Sequence, residues 1–296
     1  MLLRSKWAYI ALVIVAVANI STASILVRLA GVHGLVAATW RLILSSAITL
    51  VLLSLSSGRE SLKALSTRDA LLMTASGIAL ALHFGLWMMS LFHLTVAASV
   101  TIVDSYPALL AITGRYILGE RYSRVQLTGS LIAMAGVAGL AVSSTRSALH
   151  PPGGDPIVGS ILSLAGMVAV AVYFLIGKAM RAKYSTLTYT GIVYSIAALV
   201  AALLTKLSGY NITGYTLETY LYLLGLALLP MLGGHTIINF VLEKLSLLAA
   251  TVPVLGEPVG AAILAWIILG EPTTPLEALW MAVTLTGIGM VLLGEK

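Results

Sequence analysis

KLSLLAATVPVLGEPVGAAILAWIILGE, running from Lys244 to Glu271, is long enough to cross a bilayer as a helix, yet near its middle stands a carboxylate, Glu257, followed at once by Pro258. Proline removes a backbone donor and clashes with the preceding turn. A carboxylate in hydrocarbon is costly and tends to be retained where it has a function. A span that keeps both at its centre points to a site there.

The rest of the chain is equally apolar. Of 296 residues, 59% are hydrophobic and 9% charged, with a mean hydropathy of +1.02. That is too little polar surface to coat a soluble globule of this size. Apolar runs of roughly 20 residues recur from end to end, each able to cross a hydrocarbon layer of about 30 Å. Such spans must be helical, because lipid offers the backbone no partners. The sequence thus predicts an all-α integral membrane protein whose first partner is the lipid bilayer, with no separate soluble domain. With no cysteine there are no disulfides and no thiolate metal ligands. The net charge of +6 is read as cytoplasmic loops rather than a nucleic-acid surface.

Ten spans are expected, at about 7–28, 34–56, 69–92, 95–117, 125–144, 156–180, 185–206, 219–243, 248–269 and 276–294. Arg4 and Lys6 before the first run also suit a signal peptide, but the run is long and no small-residue cleavage site ends it, which favours a retained helix. Alternate loops and span ends divide the basic residues unevenly. One side collects thirteen of the seventeen, from Arg4 and Lys6 through Lys178, Arg181 and Lys183 to Lys244 and Lys296. This places both termini in the cytoplasm, with the protein in the cell membrane.

The proline- and glycine-rich HPPGGDP at 150–156 lies near the midpoint. Shifting the second half back by 151 residues lays Pro258 on Pro107, Gly270-Glu271 on Gly119-Glu120, Ala249 on Ala98 and Gly287 on Gly136. The expected units are therefore repeats at 1–147 and 156–296, joined by a linker at 148–155. Five spans per half, an odd number, make the repeat inverted, an arrangement that puts a transporter's site between the halves near the midplane. Pro107 and Pro258 mark matching helix breaks, freeing the carbonyls of Val103 and Val254, unless they serve packing alone.

Each half ends in LGE and a glycine-containing span, GERYSRVQLTGSLIAMAGVAGL and GEPTTPLEALWMAVTLTGIGMVLL. With Arg41 in ATWRL, HFGLWMMSLFHLTVAASV and GGHTIINFVLE, the chain resembles over essentially its whole length the EamA-like transporters of the drug/metabolite transporter superfamily. The resemblance implies a ten-helix exporter with a central cavity, often for amino acids or other small metabolites, and leaves the cargo open.

Asp104 and Glu257 are the two acids deep within spans. Thr101, Asp104 and Ala108 share one helical face, as do Pro253, Glu257, Gly260 and Ala261, and small neighbours leave room for close packing or for ligand and water. Glu257 first, and Asp104 second, are candidates to bind a proton or an amine; the competing reading is a hydrogen-bonded structural acid. Glu257 falls on Tyr106 in the repeat, which brings Tyr106 into the candidate set. His83 with Trp87, and His235 with Asn239, are pairs four residues apart that project to one side. A histidine can shuttle protons and an indole can stack on a substrate, or both can serve packing and interhelical hydrogen bonds. Asn19, beside Thr22, and Tyr173 sit on the repeat-equivalent first and sixth spans, facing the cavity or bonding structurally. Arg28 and Arg41, near outer span ends, are read as snorkelling structural residues. Glu120 and Glu271 are assigned surface roles, and Gly129, Ala133, Gly136, Gly139, Ala282, Gly287 and Gly289 make smooth faces for helix packing or a dimer.

No metal-binding cluster is visible, and no cofactor is expected. The reading is a secondary transporter exporting a small polar metabolite, foremost amino acids, by alternating access, with proton coupling as a further expectation and the chain a monomer or homodimer. A passive facilitator or exchanger would use the same cavity. A polytopic membrane enzyme is the competitor from another class, but HExxH, GxGD and Gly-x-Ser-x-Gly patterns are all missing.

Overall fold

A computed structural model describes residues 6–56, 65–94, 96–145, 154–269 and 273–295. Most of the expected linker at 148–155, and Glu271, lie outside these residues. The described chain is helical: α1 (Lys6–Ile20), α2 (Ala23–Ala30), α3 (Gly34–Ser54), α4 (Thr67–Ser90), α5 (Val96–Asp104), α6 (Tyr106–Ile117), α7 (Arg124–Thr145), α8 (Pro156–Arg181) and α9 (Thr186–Leu207). There follow α10 (Leu217–Leu226), a π-helical segment (Ala227–Thr236), α11 (Ile237–Val241), α12 (Leu247–Thr251), a 3-10 turn (Val252–Gly256), α13 (Glu257–Leu269) and α14 (Pro275–Leu293). Helices start where a short polar side chain precedes an apolar run. Ser66, Asp155, Ser185, Thr216, Ser246 and Thr274 each accept a hydrogen bond from a first-turn amide, satisfying donors that lipid would leave bare.

Among the described residues, nine segments are long and apolar enough to cross a membrane. The expected fourth span is instead two helices, α5 and α6, interrupted at Ser105. Three further departures from straight helices occur. The first span is interrupted at Ser21 and Thr22, whose hydroxyls donate to the carbonyls of Val17 and Asn19 at 2.9 and 2.7 Å, the back-bonding that bends helices. The eighth widens into a π-helix around Pro230, which cannot donate to the regular ladder. In the ninth, a 3-10 turn containing Pro253 precedes Glu257, so the irregular stretch lies ahead of Pro258. Pro107 and Pro258 are each the second residue of a resuming helix, where a missing amide hydrogen costs nothing.

The helices pack in a pattern that exchanging the halves leaves unchanged. α3 lies along α9, and α7 along α14, each pair being repeat equivalents; α4 packs on α8 as the π segment packs on α1. The glycine faces are used inside the chain: a Cβ on Gly287 would stand 2.3 Å from the Ala133 nitrogen, and one on Gly136 2.5 Å from the Thr284 nitrogen. α7 and α14 thus meet backbone to backbone, which small residues permit in lipid. Gly289 has nothing near it.

At the end of the molecule richer in basic residues, polar bonds tie elements together. Lys178 pairs with Glu120 at 3.2 Å and donates to the carbonyls of Leu242 and Leu245. Glu120, given a surface role on sequence grounds, also accepts from the Leu247 amide. Lys183 pairs with Asp69, and Arg181 with Glu243. Glu295 accepts from the Ser246 amide and hydroxyl and from Gln126.

Candidate functional site

The irregular points of the fold converge. A small cavity is lined by Ile20 and Ala23 beside the first break, Val103, Asp104 and Tyr106 at the second, and Val254 and Glu257 at the third. Arg41 of α3, His83, Phe84 and Trp87 of α4, Val170 of α8 and His235 of the π segment complete the wall. Broken helices expose backbone and turn side chains inward, which is why transporters build sites from them.

The polar atoms of this wall are left open. Glu257 Oε1, Asp104 Oδ2, Tyr106 OH, Trp87 Nε1, His235 Nδ1 and the Nε and Nη2 of Arg41 are all buried without a hydrogen-bond partner. Buried polar groups are nearly always satisfied, so seven such atoms around one cavity mark a place for water or ligand. Arg41 and Glu257 influence each other electrostatically across the space but form no ion pair.

The aromatic groups are held firmly. His83 Nδ1 lies 3.1 Å from the Gly166 carbonyl; since a carbonyl only accepts, that nitrogen carries the hydrogen and Nε2 is free. The His83 and Trp87 rings are parallel at 6.3 Å. His235 stacks on Phe174 at 5.9 Å and meets Phe84 edge-on at 5.2 Å. The Arg41 guanidinium lies 3.9 Å from the centre of the Phe84 ring, within cation–π range.

Of the residues singled out from sequence, Glu257, Asp104, Tyr106, His83, Trp87 and His235 line this one cavity. Tyr173 and Asn239 do not. They form a layer behind His235, Asn239 donating to the Tyr173 hydroxyl and, at 2.7 Å, to the His235 carbonyl. Asn19 faces elsewhere: it donates to the Val15 carbonyl and packs on Gly233, because the break just after Ile20 gives the cavity Ile20 and Ala23 instead. Arg28 is exposed. Arg41 corrects the sequence reading, being 1% exposed and in the cavity wall rather than snorkelling. Its place in ATWRL was a usable signal. Phe84, next to His83, was missed because an apolar ring in a span looks like packing. Among the described residues no cluster of three or more His, Asp or Glu could hold a metal ion.

This fold defines a multi-pass helical membrane protein built from a repeated half, with a polar chamber at the meeting of its broken helices. The EamA-like transporter family matches residues 6–142 and again residues 157–293, and the chain belongs to that family. The second match begins and ends 151 residues after the first. A probable terminal-alkyne amino-acid exporter of Streptantibioticus cattleyicolor is 22% identical over 205 residues, covering 67% of this chain and 65% of the relative. The chain therefore matches just under two thirds of that relative's length. A solved crystal structure superposes with a TM-score of 0.77 at 16% identity, covering 98% of both chains, a likeness of fold. The family is one of membrane transporters, and membership points away from an enzyme.

Proposed function

We propose that the protein is a secondary transporter that exports a small polar metabolite, an amino acid or a close relative, by alternating access about this cavity. One observation carries the reading: Asp104 and Glu257, both nearly fully buried, each keep an oxygen without a protein partner at the edge of a space where three helix breaks meet. An ammonium group or a proton completes such a carboxylate, and the open indole, phenol and imidazole groups offer further hydrogen bonds. The name of the Streptantibioticus cattleyicolor relative supports an amino acid as cargo.

In this account the chain crosses the cell membrane ten times, α5 and α6 together forming one crossing, as two inverted five-helix units at 1–147 and 156–296 joined by 148–155. Both termini are cytoplasmic. The units rock against each other around the cavity, Glu257 first and Asp104 second taking up protons or the substrate amine, in a monomer or homodimer. Purified protein in liposomes, screened against amino acids and related metabolites, tests the reading. It requires net movement of at least one of them; a complete screen with no flux contradicts it.

A further inference from the structure

The least satisfied side chain of the cavity is also the only arginine or lysine among the described lining residues. Arg41 is fully enclosed, its Nε and Nη2 have no partner, and no carboxylate is paired with it. Its guanidinium lies over the face of Phe84, a contact that does not use its N–H groups. An arginine keeps its charge at any ordinary pH and presents a planar fork of donors that matches a carboxylate. A buried charge without a counter-charge is costly, and that cost falls when an anionic group binds.

Glu257 and Asp104 line the same cavity. They bear on what the arginine accepts. A dianionic phosphate would be repelled by two nearby acids, whereas a monoanionic carboxylate on a frame that also carries an ammonium group matches both poles. Val103, Val170, Val254 and Phe84 add an apolar part to the same lining, which suits an apolar group on the ligand.

Resting on the transporter reading, we propose that Arg41 binds the carboxylate of the transported molecule in the cavity it shares with Glu257 and Asp104, so that the cavity selects compounds carrying both an acid and an amine beside an apolar group. Arg41 is in this sense a specificity-determining residue, and the free acid is as necessary for recognition as the amine.

The test is binding and counterflow with four probes of one shape: L-leucine, L-leucinamide, isopentylamine and 4-methylpentanoate. The full protein should bind leucine at least about tenfold more tightly than any probe lacking either charge, because a lost charge-assisted pair leaves its partner buried and unmet. Arg41→Gln should lose the preference of leucine over leucinamide, while Arg41→Lys, which keeps the charge but not the fork, should keep part of it. The wild-type series decides the matter even where Arg41→Gln fails to fold. Equal binding of leucine and leucinamide by the wild type, or an Arg41→Gln variant that still prefers leucine, would overturn the assignment while leaving a transporter. No binding or movement of any probe, together with none in the wider amino-acid screen, would overturn the assignment and the transport reading together.

Discussion

Phe84 and His235 occupy equivalent positions, 151 residues apart, and their rings meet edge to face at 5.2 Å. Two repeat-equivalent residues touch each other only near the axis that relates the repeats. The cavity that both rings line, together with the equivalent pair Tyr106 and Glu257, therefore straddles that axis. A site there belongs to neither half alone, so relative movement of the halves changes it directly.

The repeat is symmetric in backbone but not in charge. Glu257 stands where the first half has Tyr106, each opening the helix that resumes before a proline. Replacing the acid while keeping its shape should separate coupling from binding. In liposomes Glu257→Gln should lose accumulation driven by a proton gradient while still exchanging substrate across the membrane. A variant whose transport keeps the wild-type dependence on pH would rule out this role.

The close approach of α7 and α14 predicts opposite results at two neighbouring glycines. Gly287→Ala puts a methyl group 2.3 Å from the Ala133 nitrogen, so the helices must part, at a cost of about 1–3 kcal/mol. Gly289→Ala meets open space and should be neutral or gain up to about 1 kcal/mol from helix propensity. Thermal unfolding in detergent reads both, and a stable Gly287→Ala protein would speak against this packing.

Lys178 gathers the turn between α11 and α12 by holding Leu242, Leu245 and Glu120. This contact joins the first half to the second, so under the proposed alternating access a movement that opens this end loosens it. Lys178→Gln and Glu120→Gln should each favour the state open at this end. Combined, they should be non-additive by roughly 0.5–3 kcal/mol, as expected for residues in contact. Reactivity of a single introduced cysteine gives the populations, against a background that contains no native cysteine; full additivity would remove Lys178 and Glu120 as a latch.

Glu243, outside the spans, is held below the ordinary carboxylate range by the hydrogen bond from Lys244 and the nearby charge of Arg181, against some opposing desolvation. A depressed folded-state value means that its contribution is present above the unfolded value, near 4.3, and disappears as pH falls through the lower folded one. Glu243→Gln should therefore flatten the acid side of the stability profile and leave the neutral side no steeper. An unchanged acid limb, measured by thermal unfolding against pH, would count against it.

What could be read in the sequence follows from how local each cause is. Helicity and membrane embedding come from composition and run length, and the repeat from matched glycines and prolines; all act within a few residues. Pro107 and Pro258 carry their backbone constraint wherever they stand. Pro230 with Gly233 and Gly234 in the eighth span was a similar local sign of the π segment that carries His235. Arg41 was harder. Seven residues from the start of α3, about 10 Å at the helical rise, it lies within snorkelling distance of an interface, and only the position of Phe84 beneath it and Glu257 across from it shows otherwise. For Asn19 the sequence leaves open the cavity or a structural hydrogen bond, and the break at Ser21 and Thr22, which sets the residues that face inward, is not visible in its spacing.

Alternating access requires one cavity to be reached in turn from the two sides of the membrane. Ala23, small and in its wall, is the position to probe. With Ala23→Cys as the single thiol, a membrane-impermeant maleimide should react when added from either face, and a transported amino acid should slow both reactions. Labelling from one face alone under every condition, unaffected by a substrate that the same protein carries, would contradict alternating access about this site.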